Sequence, residues 1–119
     1  MDRGFAINRG VGFSIKFNNG VVVSVQFGPH HYCSNQGKDV LNDNHSKHGI
    51  EVDRYTCDNA EVAIFNDKGW LTKEFKYSDD DVLSHQSAAS VLAALKWAEA
   101  YKEDKWRNIL KEKQVKEII

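Results

Sequence analysis

The chain has 119 residues, the size of one core, so a single domain spanning residues 1–119 is expected. An apolar share of 41% with one Pro and eight Gly excludes a long linker-like or disordered chain. A net charge of −1 gives no overall pull toward nucleic acid, and no run approaches the ~18 apolar residues of a membrane span.

The start, Met1-Asp2-Arg3-Gly4-Phe5, lacks the basic stretch and apolar run of a secretory signal. A cytoplasmic setting follows as an expectation, with Cys33 and Cys57 kept as thiols. The charge is unevenly spread. Residues 1–38 and 102–119 are mildly basic, and residues 39–81 carry eleven acidic against five basic side chains. Such a pattern suits self-association or a local anion site, although ordinary solvated surface produces it too. Duplex DNA would call for a dense Lys/Arg stripe, so no duplex partner and no membrane partner are expected.

The clearest local signal is residues 13–27. Phe13, Ile15 and Phe17 alternate with Ser14 and Lys16; Val21, Val23, Val25 and Phe27 alternate with Val22, Ser24 and Gln26. Period two puts each set on one face of a strand. Asn19-Gly20 between them reads as a type I′ turn, so the segment is a β-hairpin with one apolar face. Residues 4–8 add a short strand upstream, and Gly28-Pro29 ends the second one.

Residues 29–58 read as a polar, irregular loop with four His and a short strand at 50–56. A second hairpin follows, with strands over 60–65 and 70–75 and a turn at Asn66-Asp67-Lys68-Gly69. It places Leu71, Phe75 and Tyr77 on one face. Residues 78–81, Ser-Asp-Asp-Asp, form a solvated break. At Ser87 the period changes. Ser87 is an N-cap, and Val91, Leu92, Leu95 and Ala98 recur at helical spacing amid six Ala. Trp106, Ile109 and Leu110 continue a helical stripe, either in one helix or after a break near Glu103-Asp104. Strands over 1–77 and helix over 87–119 define an α+β fold, an antiparallel sheet of about four to six strands packed by C-terminal helices. The stripe at 106–110 is most simply covered in a homodimer.

No phosphate loop and no dinucleotide fingerprint occurs, so no cofactor and no catalytic residue is assigned. His30, His31, Cys33, His45, His48 and Cys57 include zinc-type ligands, but without any finger spacing, so no metal is assigned either. A Cys–His nucleophile pair lacks a third, orienting group. Asp79, Asp80 and Asp81 lack the EF-hand pattern. What remains is a binding surface. Arg54 and Arg107 suit phosphate, while Tyr32, Phe75, Trp97 and Tyr101 offer rings for a base. On a helix, Trp97, Tyr101 and Lys105 would share one exposed edge. Each of these aromatics is equally suited to a core.

Several stretches resemble small uncharacterised phage and prophage proteins: Gly12-Phe13, Phe17-x-Asn19-Gly20, Val23-Ser-Val-Gln-Phe-Gly28, Tyr32-Cys33-x-Asn35, Ala60-Glu-Val-Ala63 and the Gln86-Ser87 helix start. Among such proteins the order of elements is similar to the Thoeris anti-defence 1 family, oligomeric sponges that bind cyclic ADP-ribose isomers without cleaving them. The resemblance implies a non-enzymatic phage protein in the host cytoplasm, sequestering a cyclic nucleotide as a homodimer or higher oligomer. Its site would draw on Tyr32, Asn35, Arg54, Phe75, Gln86, Trp97, Tyr101 and Arg107. Two other classes compete: an inhibitor acting by protein contact on a host enzyme, and a small metal-dependent nucleotide enzyme using His45 or Cys33.

Overall fold

The computed structural model describes residues 3–9, 11–37 and 56–103. All but the last residue of the expected strand at 50–56, the stripe at 106–110, and Arg54, Arg107, His45 and His48 lie outside the described residues; Thr56 is described and is not in a strand.

Alternating side chains produce the strands where expected in the first half. β1 (Gly4–Ile7), β2 (Gly12–Lys16) and β3 (Val22–Gln26) form an antiparallel meander. Phe5 pairs with Ile15 and Ile15 with Val23; Ile7 pairs with Phe13 and Phe13 with Val25. Directly opposed residues share a face, so these six stand on one side of the sheet. The β2–β3 connection differs from a two-residue type I′ turn. Gly20 N–H donates to Phe17 O, Phe17 N–H donates to Val21 O, and only Gly20, at φ +86°, enters the left-handed region. This is a three-residue loop in which Gly20 absorbs the positive φ and Asn19 keeps an ordinary backbone. Asn19 is thereby released for another task, described below.

β4 (Ala60–Asn66) pairs antiparallel with β3, setting Ile64 opposite Val23 and Val62 opposite Val25. The same apolar face therefore continues onto β4. On its other side β4 pairs with two short strands, β5 (Gly69–Trp70) near Asn66 and β6 (Leu83–Gln86) near Ala60. Among the described residues the sheet has six strands, and β1 is the outermost of them on the meander side.

The second hairpin is shorter than expected. After Trp70 the chain turns into a single helical turn, α1 (Thr72–Phe75), rather than continuing as strand to residue 75. The cause is Thr72, which is fully buried. Its hydroxyl accepts from Ile64 N–H at 2.9 Å and donates to Ile64 C=O at 3.1 Å. Leu71 N–H still bonds Ile64 C=O at 2.8 Å, but the Thr72 hydroxyl takes over the bond to Ile64 N–H that a continuing strand would have made, and the backbone beyond it is free to coil. Leu71 is buried, Phe75 half-buried and Tyr77 exposed, so the shared face expected of them does not form. β6 was not legible as a strand. It is four residues long, only Leu83 is buried, and a bulge near His85 (φ +52°) interrupts its register with β4.

α2 (Ala88–Ala100) begins as the sequence indicates, with the Ser87 hydroxyl accepting from Ser90 N–H at 3.2 Å. It lies across β3 and β4. Ala94 and Ala98 are fully buried and let the helix approach Val21, Val23, Val62 and Ile64 closely. Burying each of those four side chains stabilises the fold by roughly 1.5–3 kcal/mol. Leu92, expected on the inward stripe, is half exposed. The inward line runs instead through Val91, Ala94, Leu95, Ala98 and Tyr101. α2 stops at Ala100, and Tyr101 is extended. The fold is thus α+β, a six-stranded antiparallel sheet with a C-terminal helix over half of one face. No described helix is long and apolar enough to cross a membrane.

Candidate functional site

Because α2 covers β3 and β4, the same apolar face is left open over β1 and β2. Phe5 is 85% exposed and Ile7 82% exposed, although both alternate toward the side on which the core lies. The open strip runs into a shallow groove of about 750 Å³ between β1, the β2–β3 turn and the end of α2. Phe5, Ile15 and Phe17 line its apolar part, and Tyr101 adds a ring from the helix side. Arg3 and Lys102 bring two cations to it, against one carboxylate from Glu99; Lys16 borders it too, but alternates with Ile15 and belongs to the other face of β2.

The elements explain the gathering. β1 pairs with β2 so that Gly4 lies opposite Lys16 and Phe5 opposite Ile15, which brings Arg3 to the β2–β3 turn. There the Arg3 guanidinium donates to Asn18 Oδ1 at 3.4 Å. The Asn19 carboxamide donates to the carbonyls of Ala98 at 2.8 Å and Tyr101 at 2.9 Å. It fixes the helix end and sets Lys102 beside the turn. Aromatic planes and cations then share one solvent-open depression, an arrangement suited to a flat ring carrying phosphate.

The residues singled out from sequence fall into two groups. Phe75, Trp97 and Tyr101 meet: the Phe75 and Trp97 ring centroids are 5.8 Å apart, and those of Trp97 and Tyr101 5.2 Å. All three pack half-buried against the core, so Trp97 and Tyr101 form no exposed helix edge. Tyr101 alone of the three lines the groove. Tyr32, Asn35 and Gln86 gather at the opposite end of β4, which spans about 20 Å at strand rise. Asn35 is buried, and its amide donates to Phe27 O at 3.0 Å and Thr56 O at 2.9 Å, a loop-holding role. Gln86 Oε1 accepts from Ser90 Oγ at 2.6 Å and from Lys76 Nζ at 3.4 Å. Tyr32 is half exposed; its N–H donates to Glu61 and its carbonyl accepts from His85 N–H.

Sequence reasoning missed Arg3 and Phe5. The available signal was an apolar pair, Phe5 and Ile7, in a short first strand flanked by Arg3. Among the described residues no group of three or more His, Cys, Asp or Glu is placed to hold a metal ion. Comparison of the chain with protein-family models, with curated proteins and with solved structures finds no match.

Proposed function

We propose that the groove beside β1 binds a nucleotide, and that the protein works by retaining it rather than transforming it. The observation that carries this reading is the meeting of Phe5 and Tyr101 with Arg3 and Lys102 in one depression. Phosphates would sit against the cations, and a purine ring would lie on an aromatic face. The resemblance to the Thoeris anti-defence 1 family narrows the ligand to a cyclic ADP-ribose isomer. On that reading the protein is a phage-encoded sponge in the host cytoplasm. The groove is open, so a second copy of the chain closing over it would complete the enclosure, and a homodimer or higher oligomer belongs to the proposal.

Calorimetric titration with cyclic ADP-ribose isomers tests it. Micromolar binding without product formation supports the reading, and no heat with any isomer overturns it.

One observation favours a second reading. Phe5 and Ile7 stand exposed on the outermost strand of the meander, a surface suited to a protein partner adding to the edge or lying on the strip. An inhibitor of that kind would co-purify with a host protein, lose it on replacement of Phe5 and Ile7 by Asp, and retain no nucleotide.

A further inference from the structure

At the end of the sheet remote from the groove, the loop at residues 31–37 is laced to the start of β4. Tyr32 N–H donates to Glu61 Oε2 at 2.8 Å, Ser34 N–H to Asn59 Oδ1 at 2.8 Å, and Asn35 Nδ2 to Thr56 O at 2.9 Å. Asn59 Nδ2 returns a bond to Ser34 Oγ at 2.7 Å. These bonds flank Cys33 on one segment and Cys57 on the other, and so hold the two cysteines on directly neighbouring stretches of chain. They are the chain's two cysteines, and both are free.

Their surroundings differ. Cys33 is 2% exposed, with its thiol directed at Gly28 O at 3.5 Å. Cys57 is half-buried and opens into a cleft of about 370 Å³, lined also by Phe27, Thr56, Gln86 and Val91. One thiol meets solvent and the other waits behind it. That is the arrangement of an entry thiol and a resolving thiol.

We propose that Cys33 and Cys57 are a redox pair, forming a reversible intrachain disulfide that Cys57 initiates from the cleft and Cys33 completes. With a small disulfide such as oxidised glutathione as oxidant, the Cys57 thiolate attacks one glutathione sulfur and releases one glutathione thiolate. The Cys33 thiolate then attacks Cys57 Sγ in the mixed disulfide and releases the second. Two protein thiols are oxidised, one oxidant disulfide is reduced, and the two thiol protons pass to the released thiolates or to water. The bridge would join the loop covalently to the start of β4 and close the chain between residues 33 and 57 into a ring.

The test is incubation of the full-length protein with oxidised glutathione, followed by alkylation in denaturant and intact-mass and peptide mapping. Loss of both alkylatable thiols, a mass lower by two hydrogens, and a Cys33–Cys57 cross-linked peptide are expected. Cys33→Ser should stop at a stable glutathione adduct on Cys57, whereas Cys57→Ser should leave Cys33 largely unmodified. Retention of both thiols, a persistent mixed disulfide in the native chain, or disulfide-linked dimers would each overturn the proposal. So would bridging that is equally fast in urea, because the fold would then contribute nothing to the encounter. Mapping of the unsubstituted chain decides the matter even if a variant misfolds.

Discussion

The side chain of Asn19, in the first tight turn, caps the end of α2 by donating to the carbonyl of Ala98, 79 residues later, at 2.8 Å. The same nitrogen reaches the carbonyls of Tyr101 at 2.9 Å and Glu99 at 3.3 Å, while Oδ1 accepts from Val21 N–H at 3.0 Å. The last carbonyls of a helix have no partner within it, and here the turn supplies one. Hairpin and helix are joined at the place where the candidate groove opens.

Asn19→Ala should therefore cost about 1 kcal/mol of stability, because it removes the hydrogen bonds that tie the turn to the helix end, although Ala98 C=O keeps the Tyr101 N–H at 3.2 Å. Asn19→Asp should cost at least as much, since a carboxylate retains the Val21 contact but faces carbonyls it cannot donate to. Urea denaturation midpoints check both. An unchanged midpoint in Asn19→Ala would remove Asn19 from the account of how the groove is built.

Much of this architecture is visible in the sequence where its causes are local. Alternation over residues 13–27 sets the face of each strand, and Gly20 marks the turn. Ser87 announces the helix start. The features that were not visible depend on distant partners. Thr72 ends the second hairpin only because its hydroxyl meets the backbone of Ile64, which nothing in residues 70–75 reveals. β6 is a strand because β4 offers it an edge, and its own four residues carry little period. The groove needs Arg3 from before β1, Phe17 from just past β2 and Lys102 from beyond the helix. Pairing brings them together, whereas helical spacing suggested an edge through Trp97 and Tyr101 that packs against the core instead.

Thr72→Val keeps the shape of the side chain and removes its hydroxyl, stranding the buried N–H of Ile64, while Ile64 C=O keeps the Leu71 N–H at 2.8 Å. A loss of roughly 1–3 kcal/mol is expected, the penalty for one unpaired buried group. Thr72→Ser retains the hydroxyl and should recover most of that loss. Hydrogen exchange at the Ile64 amide gives a local readout: faster exchange in Thr72→Val and near-native protection in Thr72→Ser. Equal protection in all three would show that the hydroxyl does not replace the ladder bond.

The groove predicts a separation between stability and binding. Phe5 is so exposed that Phe5→Ala should change stability by no more than about 0.5 kcal/mol. If a base stacks there, the same change should weaken nucleotide binding by roughly 10-fold, corresponding to ~1.4 kcal/mol of stacking. Lys102→Glu should weaken it as well, and the native affinity should fall with added salt. Titration calorimetry alongside thermal melts measures both quantities. Binding that survives Phe5→Ala and Lys102→Glu would move the ligand away from this groove.

The buried thiol gives the fold an alkaline limit. Burial pushes Cys33 above its ordinary value of 9.0, the backbone N–H of Asn35 pulls it the other way, and Cys57 and Glu61 add to the rise. The native state therefore holds its proton more tightly than the unfolded chain does. Below 9.0 both states are protonated and this stabilisation is fully present. As pH climbs past 9.0 the unfolded chain ionises first, and the stabilisation is lost by the point where the native thiol also titrates. Under reducing conditions the urea midpoint of the native protein should fall over that window. Cys33→Ala should start lower, for want of the buried sulfur, but lose less with rising pH. Tyrosine and lysine ionisation affects both proteins alike, so the difference in slope isolates Cys33. Parallel curves would mean that its thiol titrates in the folded protein as it does in the unfolded chain.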